Sequence, residues 1–319
     1  MKRKSKEGII LVYVLTFTLA ITTLLLVLHY KVERYIEDFT AKNEFIKMEN
    51  VSNIGYAVGK KLLEIDKNSY DWYGDVWGKE IEMNIDDYKI DIEIKDEDGK
   101  INLNKVIGAK GKVNTSLLNL LKNLFTFMGY SNSMVDCLLD WIDEDEIPRS
   151  SGAESTYYRM NNYPYIPPNK PLYSVKEIIL INGFSKEILY GKTSQNEEEI
   201  EEEVEKGLIN FISIISDDKI NINTCENEIL SAMGYNEANV DTIIEERNRR
   251  PLNEGFLLSL NREVTLKNKR IIKYRSSHFS INISVENIES GKKANFKFLV
   301  RRDKENCIEL LKEEKIWEN

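Results

Sequence analysis

Four acidic side chains in one short stretch of the sequence have the types and spacing of a calcium site. The stretch is CLLDWIDEDEIPRSSGAESTYYR, residues 137–159. Its candidate ligands are Asp140, Asp143, Asp145 and Glu154. Carboxylate oxygens on one loop can converge on a calcium ion. The alternative is that these carboxylates cap helices and pair with Arg149 and Arg159 across the loop. Both interpretations are open.

The other residues that could do chemistry argue against an enzyme. The chain of 319 residues has two histidines, His29 and His278, which cannot build a zinc site of several histidines or a proton relay. Its three cysteines lie far apart, so they form neither a disulfide framework nor a metal knuckle. No nucleophile with a neighbouring base accompanies the acidic stretch. We therefore expect no catalysis and no required cofactor, with calcium as the one candidate ligand.

The charge of the chain argues against general affinity for nucleic acid. The net charge is −9, and binding to phosphates by counterion release needs a basic surface. The segment SQNEEEIEEEVEKG, residues 194–207, is predicted to be a solvated acidic helix that connects two parts of the chain.

The N-terminus predicts a membrane anchor. The segment from Ile9 to Leu28 carries no charge, and about 20 such residues in a helix span a bilayer. Basic residues precede it, so the positive-inside rule leaves residues 1–8 in the cytoplasm and sends the C-terminal bulk across the membrane. The small-x-small exit of a secretory signal peptide does not follow Leu28. The apolar stripe instead continues at helical spacing through Val32, Tyr35, Ile36 and Phe39, and then Ile54, Val58, Leu62 and Ile65.

Alternating apolar residues predict strands on both sides of a helical middle. The first set, before a predicted hairpin turn at Asp98 and Gly99, is Tyr88, Ile90, Ile92 and Ile94. The C-terminal sets, separated by a turn at residues 289–292, are Phe279, Ile281, Ile283 and Val285, then Phe296, Phe298 and Val300. A last short strand is expected at residues 307–311. Strands that flank a helical middle predict one sheet domain with an inserted domain.

An internal repeat divides the helical middle. KINLNKV at residues 100–106 and KININTC at 219–225 precede helical patterns at 116–142 and 226–261. The second unit resembles a helix-hairpin-helix element. DNA binding is disfavoured there, because Asn236 stands where a second glycine would help and Glu237 would face the phosphate.

The short basic leader, Gly8 and the uncharged span resemble a type IV prepilin. This resemblance implies that prepilin peptidase cuts after Gly8 and that the new N-terminal residue, Ile9, is methylated. Most pilins keep a glutamate at the fifth mature position, which is Tyr13 in this chain.

The segment 137–184 is similar to the signature of the general secretion pathway protein K family. The matching motifs are DWID, then GAE before paired tyrosines, then PNKPL, together with DEDGKINLN and KININT. K-type members typically lack the glutamate at the fifth mature position, so Tyr13 agrees with this resemblance. Some relatives bind calcium in this domain.

The resemblance implies an α+β fold: a pilin-like long helix and antiparallel sheet, interrupted by a large all-helical insertion of SAM-like or helix-hairpin-helix modules. The expected parts are a leader at 1–8, a helix at 9–65, sheet segments at 66–104 and 276–319, and the insertion at 105–275.

The same resemblance implies a minor pilin or pseudopilin at the tip of a type IV pilus or a type II secretion pseudopilus. Its partners would be the I-type and J-type minor pilins, prepilin peptidase and the inner membrane, with no nucleic acid. The alternative function is a membrane-anchored DNA receptor with a helix-hairpin-helix element.

Overall fold

The computed structural model describes residues 2–108, 111–160, 164–191 and 206–318, with side chains described from residue 9 to residue 315. Most of the acidic segment 194–207 lies outside these residues. The helices are α1 Lys2–Ile65, α2 Thr115–Phe127, α3 Ser133–Ile142, α4 Ser155–Arg159, α5 Lys186–Tyr190, α6 Asn227–Met233, α7 Glu237–Arg247, α8 Glu254–Leu260 and α9 Arg262–Asn268. The strands are β1 Ile81–Ile85, β2 Tyr88–Asp96, β3 Ile101–Asn102, β4 Ile212–Ser213, β5 Ile220–Asn221, β6 Ile272–Lys273, β7 His278–Asn287, β8 Lys293–Arg302 and β9 Ile308–Glu318.

Helix α1 has an exposed first half and a packed second half. Residues 9–40 are all exposed, and the part from Ile9 is long and apolar enough to cross a membrane. The second half lies on the sheet through a face that contains Gly55 and Gly59. A Cβ atom on Gly59 would lie 2.8 Å from Cγ2 of Ile281, so glycine permits this close approach.

The predicted apolar face of α1 was therefore only partly right. Val58 and Leu62 pack at the edge of the contact, whereas Ile54 and Ile65 are largely exposed. The buried face follows the glycines because close backbone approach, rather than side-chain size, brings this helix onto the sheet. Its buried residues include Met48, Val51, Ser52 and Leu63.

The main sheet is antiparallel, in the order β1-β2-β7-β8-β9. The alternating residues of β2, β7 and β8 bury one face against α1, as their periodicity predicted. Strand β9 is longer than the predicted segment 307–311. Its alternation is masked because charged residues from Lys312 to Lys315 follow the first apolar ones, while backbone pairing with β8 continues to Glu318.

The predicted hairpin at Asp98 and Gly99 was wrong. Strand β2 pairs with β1 and β7, and the chain then leaves the main sheet, so that β3 pairs in parallel with β4. The tight turn lies instead between β1 and β2, where Asp86 has a φ of 49°. Asp98 is fully buried and has distant partners, which a local sequence pattern does not reveal.

The chain between β2 and β7 forms an inserted domain with a hydrophobic core of its own. Its longest regular elements are helices, but it is not the all-helical insertion that was predicted. Two short parallel pairs, β3 with β4 and β5 with β6, close its two halves. Each pair is only two residues long, so it depends on packing around it rather than on its own stability.

A buried polar network joins the insertion to the end of the main sheet. Asp98 accepts hydrogen bonds from the backbone of Ser277 (2.6 Å) and from Asp217 N (2.8 Å), and it forms ion pairs with Lys273 and His278. Burial acts to raise the pKa of Asp98, but the hydrogen bond from His278 and the charge of Lys273 lower it to about 2. The network fixes the position of the insertion.

The same network reaches the C-terminal end of α1. Arg302 is buried and pairs with Asp66 and Asp71, which directly follow α1. The side-chain amide of Asn221, in the insertion, donates to the backbone oxygen of Asp71 at 2.9 Å and to the Asp96 carboxylate at 2.9 Å. The insertion therefore lies at the end of the molecule opposite the exposed first half of α1.

Candidate functional site

The two repeated phrases begin two modules with the same order of elements. In each module, a two-residue strand leads through an asparagine turn to a pair of helices, a Pro-Leu step, short helical segments and a closing strand, and the first module has the additional helix α4 before its Pro-Leu step. We call residues 101–213 module 1 and residues 220–273 module 2. The first helices of the two modules, α2 and α6, pack against each other.

The asparagines of the repeat have matching roles. The side-chain oxygen of Asn102 accepts from Asn104 N at 2.9 Å, and that of Asn221 accepts from Asn223 N at 3.1 Å. The second asparagine of each pair then holds the Pro-Leu step. Leu172 N donates to Asn104 Oδ1 at 2.7 Å, and Leu252 N donates to Asn223 Oδ1 at 2.7 Å. Buried backbone N–H groups thus gain partners that the repeat supplies twice.

Both modules turn between their first two helices with the same Met-Gly-Tyr sequence. Gly129 and Gly234 have φ values of 75° and 103°, which glycine adopts at helix ends. In module 2, Asn236 caps α7 by accepting from Asn239 N, and Glu237 starts that helix. A carboxylate at this position would repel a nucleic-acid phosphate, so the hairpin geometry does not favour DNA binding.

Module 1 differs by a long loop, residues 143–170, between α3 and its Pro-Leu step. Asp140, at the end of α3, is fully buried and accepts from Arg149 N at 3.1 Å and from Arg149 Nη1 at 2.5 Å. The same Nη1 donates to Asp143 at 2.5 Å. A Cβ atom on Gly152 would lie 1.7 Å from Asp140 Oδ2, so only glycine fits there. Arg149 thus fulfils the predicted ion pairing, whereas Arg159 has no ion pair among the described residues.

Glu154 is the least satisfied acid of this loop. It is 4% exposed, and neither carboxylate oxygen has a hydrogen-bond partner among the described residues. The same holds for Oδ1 of Asp143. Burial first, and then the charges of Asp140 and Asp143, raise the pKa of Glu154 to about 7. A buried carboxylate of this kind requires a proton or a cation nearby.

The structure brings three of the four predicted calcium ligands together. Oxygen atoms of Asp143, Asp145 and Glu154 lie within 4.8 Å of one another. Asp140 is not part of this group: both of its oxygens accept from Arg149, whereas Asp143 gives Arg149 only one oxygen and keeps Oδ1 without a partner. The unpartnered oxygens of Glu154 and Asp143, together with the exposed Asp145, fit a cation that prefers oxygen ligands. The acidic site below means these three carboxylates.

Contacts that the sequence did not single out hold the loop in place. Glu146 accepts from Ser155 Oγ at 2.7 Å, and Asn169 donates to the backbone oxygen of Asp145 at 2.9 Å. Beneath the loop, the ring of Tyr158 meets the ring of Trp141 edge-on, with 5.4 Å between centroids. The backbone N–H of Asn182 also donates to the Tyr158 hydroxyl at 3.2 Å. Glu146 could have been noticed from its place in the acidic run and Asn169 from its place in PNKPL, but neither position reveals its partner.

The predicted processing residues lie on the exposed half of α1. Gly8 is within the helix, and Ile9 and Tyr13 are exposed over most of their surface. Tyr13 makes no side-chain ion pair, whereas a glutamate there would place a charge on an apolar surface.

Comparisons with known proteins agree with this architecture. Residues 99–191, which include most of module 1, match the family model described as type II secretion system (T2SS), protein K. A search of curated proteins finds no match. The fold is similar to a chain in the crystal structure of the GspK-GspI-GspJ complex from the enterotoxigenic Escherichia coli type 2 secretion system. The TM-score is 0.68 at 15% identity, over 87% of this chain and 99% of that chain.

The long helix packed on an antiparallel sheet, interrupted by a large insertion that carries the acidic site, is thus a fold similar to that of the solved chain. Within residues 99–191, the family match supports the resemblance to the general secretion pathway protein K family that the motifs indicated.

Proposed function

We propose that this protein is the K-type minor pseudopilin that caps the tip, and initiates the assembly, of a type II secretion pseudopilus or a type IV pilus. The observation that carries the proposal is the position of the insertion at the C-terminal end of α1, fixed there by Asn221, which donates to Asp71 and Asp96. In a fibre built from parallel N-terminal helices, this end faces away from the membrane. A rigid domain there blocks the addition of another subunit.

The exposed half of α1 supplies the other part of the mechanism. Residues 9–40 are exposed and mainly apolar, and they extend for about 48 Å at 1.5 Å per residue. The first part spans the inner membrane, and the continuing apolar surface packs against the helices of neighbouring subunits once it leaves the bilayer. The role is structural packing rather than catalysis.

The partners follow from the same family. The solved complex contains GspK with GspI and GspJ, and we propose I-type and J-type minor pilins as partners of this chain. Such a tip complex is tested by isolating the full-length protein from membranes with both minor pilins. Immunogold labelling should then place it at one end of each fibre. Labelling along the fibre, or binding of duplex DNA that weakens with salt, would contradict the tip function and favour the alternative of a DNA receptor.

Processing by prepilin peptidase is a separate part of the proposal. Cleavage after Gly8 would release residues 1–8 and leave a methylated Ile9. The intact mass of membrane-extracted protein tests this directly. Gly8→Leu should leave the leader attached, whereas Ser5→Ala, a control change in the leader, should not. A Gly8→Leu protein that still begins at Ile9 would show that the cut lies elsewhere.

The missing glutamate at the fifth mature position also has a role in this proposal. In a fibre, that carboxylate can meet the N-terminal amine of the subunit above it. A tip subunit has none above it, so a buried carboxylate at Tyr13 would remain uncompensated. Tyr13→Glu is therefore expected not to improve assembly, measured as the number of fibres per cell. A large increase in fibre number would argue that the protein lies below the tip.

We also propose that the acidic site binds calcium through Asp143, Asp145 and Glu154. The ion would be the positively charged partner that the Glu154 carboxylate lacks. It would also hold loop 143–170 on α3. Arg149 already neutralises Asp140, which leaves the site with a moderate net negative charge. The surface of this loop around the ion would be the part of module 1 by which a partner protein distinguishes it from module 2.

The calcium proposal is tested by titrating calcium into the full-length protein in detergent and following heat release. Glu154→Gln should weaken binding at least about tenfold, because it removes a charged ligand. Glu144→Gln is the matched control, since Glu144 is exposed and lies on the same loop outside the acidic site. Equal effects of the two variants would show that calcium, if it binds, binds elsewhere.

A further inference from the structure

A cleft with a positively charged rim lies where the insertion meets the main sheet. It has a volume of about 620 Å³, which is in the range of pockets that hold a small ligand or a short peptide segment. Lys105 lies between β3 and α2, Arg275 lies between β6 and β7, and Lys304 lies in the turn between β8 and β9. The acidic site lies elsewhere, in loop 143–170, and shares none of these residues.

The charges around this cleft are unequally satisfied. Among the described residues, Lys105 and Lys304 have no ion-pair or hydrogen-bond partner, and Arg275 donates only to the neutral side chain of Asn306, at 2.6 Å. The two acids that line the cleft are both engaged: Asp217 pairs with Lys273 at 3.2 Å, and Asp303 accepts from two backbone N–H groups at 2.8 Å. The cleft therefore has an excess of positive charge, although the net charge of the chain is −9.

A buried hydroxyl adds a second polar feature. Ser216 lines the cleft and is 1% exposed, and its Oγ atom has no hydrogen-bond partner among the described residues. Its backbone oxygen accepts from the Asn102 side chain, so the residue is fixed in position. An unsatisfied buried hydroxyl costs stability unless something donates to it or accepts from it. Ser216 therefore adds an unsatisfied hydroxyl to the wall of the cleft.

We propose that this cleft binds a short acidic segment of a partner protein through its carboxylates. A compact phosphate site usually uses a guanidinium fork or several convergent backbone N–H groups. Here the unpartnered cations are two lysines on separate elements, with Arg275 between the insertion and β7. Flexible, separate cations match separate carboxylates along a peptide better than one tetrahedral anion. Because the cleft is formed by both domains, its ligand would also hold the insertion against the sheet.

The test uses the full-length protein in detergent and three probes: an acetylated, amidated tetraglutamate peptide, the matching tetraglutamine peptide and inorganic phosphate. Calorimetric titration should show binding of tetraglutamate that weakens as salt rises, and no binding of tetraglutamine. Lys105→Gln with Lys304→Gln should weaken binding about tenfold or more, because each removes a charge-assisted contact. Ser216→Ala should weaken it less.

The matched control is Lys47→Gln with Lys267→Gln, which makes the same change of charge at exposed lysines outside the cleft. Unfolding curves of both double variants should coincide, so that a loss of affinity cannot come from loss of the fold. Equal weakening by the control pair would overturn the site. Phosphate binding as tight as that of the peptide would overturn the assignment to a peptide. Neither result would bear on the tip function, which rests on the position of the insertion.

Discussion

Modules 1 and 2 have the same frame but differ in what they add to it. Both have the asparagine pair, the Met-Gly-Tyr turn and the Pro-Leu step. Module 2 passes from α7 to its Pro-Leu step within a few residues, and its Asn221 also donates to Asp71, Asp96 and Ser276. Module 1 has loop 143–170 at the same place, and its Asn102 donates to Ser216, within the insertion. Module 2 attaches the insertion to the sheet, and module 1 carries the acidic site.

This difference shows where specific function can be added to a repeated frame. The frame needs its asparagines and glycines twice, because each satisfies a backbone requirement that occurs twice. The connection after the second helix is free to change length, since the Asn104 or Asn223 side chain holds its far end at the Pro-Leu step. Glu154, whose two carboxylate oxygens are both buried without a partner among the described residues, lies on that added connection in module 1.

The largest expected effect is at the attachment of module 2. Asp98→Asn would leave the charge of Lys273 and the ring of His278 without their buried carboxylate. Removing one partner of a buried ion pair costs about 3–5 kcal/mol. Unfolding in urea, followed by tryptophan fluorescence, should show a lower midpoint and separate transitions for the insertion and the sheet.

The control for this attachment is Asp217→Asn. Asp217 also pairs with Lys273, but its side chain is 45% exposed. The expected cost is below about 1 kcal/mol, because solvent screens exposed pairs. If both variants lost the same stability, Asp98 would not be the residue that attaches module 2.

The next effect concerns loop 143–170 of module 1. Gly152→Ala would place a methyl group where the Asp140 carboxylate lies, and so would displace Arg149 from its buried pair. We expect a loss of about 2–4 kcal/mol and weaker calcium binding by calorimetry. Gly255→Ala, on α8 of module 2, is the control and should be nearly neutral, since its Cβ would meet only the Asn253 side chain at 3.2 Å. A neutral Gly152→Ala would show that the loop can move away from α3 without cost.

A smaller effect, expected in both modules, tests the shared frame. Asn104→Ala and Asn223→Ala each leave a Pro-Leu backbone N–H without its partner, at a cost of about 1–3 kcal/mol. Asn104 should be the more costly of the two, because its amide also donates to Leu172 O and Ile214 O. Hydrogen exchange at the backbone N–H groups of Leu172 and Leu252 measures the loss of protection in each module. Protection that changes in only one module would contradict an equivalent role of the two asparagines.

The features that the sequence predicted are those that leave a local periodic or repeated signal. Strands β2, β7 and β8 were predictable because their apolar residues alternate, and the asparagine repeat because both copies are nearly identical. The acidic stretch could be recognised because its residues are close in the sequence. Which of its acids pair with Arg149 and which form the acidic site depended on the fold of the loop.

Other features depended on partners far away in the chain. Asp98 was predicted to be a turn residue, because its partners Lys273 and His278 lie at the other end of the insertion in the sequence. The face of α1 that lies on the sheet was missed because Gly55 and Gly59 contribute no apolar signal. The parallel pairs β3-β4 and β5-β6 were missed because two residues are too few for a periodicity.

The smallest expected effect is a dependence on pH that calcium should reduce only in module 1. The pKa of Glu154 is raised to about 7 by burial and by its acidic neighbours, whereas it is near its ordinary value in the unfolded chain. A raised pKa stabilises the fold below about pH 4.5, and this contribution is lost as pH rises through about 7. Asp145 beside Glu154 is exposed, so solvent screens the site. We therefore expect the free energy of unfolding to fall by about 1 kcal/mol between pH 5 and pH 7 because of Glu154.

Unfolding in urea at the two pH values, with a calcium chelator present, measures this dependence. Glu154→Gln should reduce the loss of stability between pH 5 and pH 7, and calcium should reduce it in the unmodified protein, because the ion stabilises the ionised carboxylate. Part of the loss should persist in Glu154→Gln, since burial and the charge of Asp98 also raise the pKa of Asp96 to about 7. Asp96 lies at the attachment of module 2 and has three donors on one oxygen, so calcium should leave that part unchanged. If Glu154→Gln had the same pH dependence as the unmodified protein in chelator, the unsatisfied charge of module 1 would lie on another residue, and the acidic site would lose its distinction from the rest of the repeat.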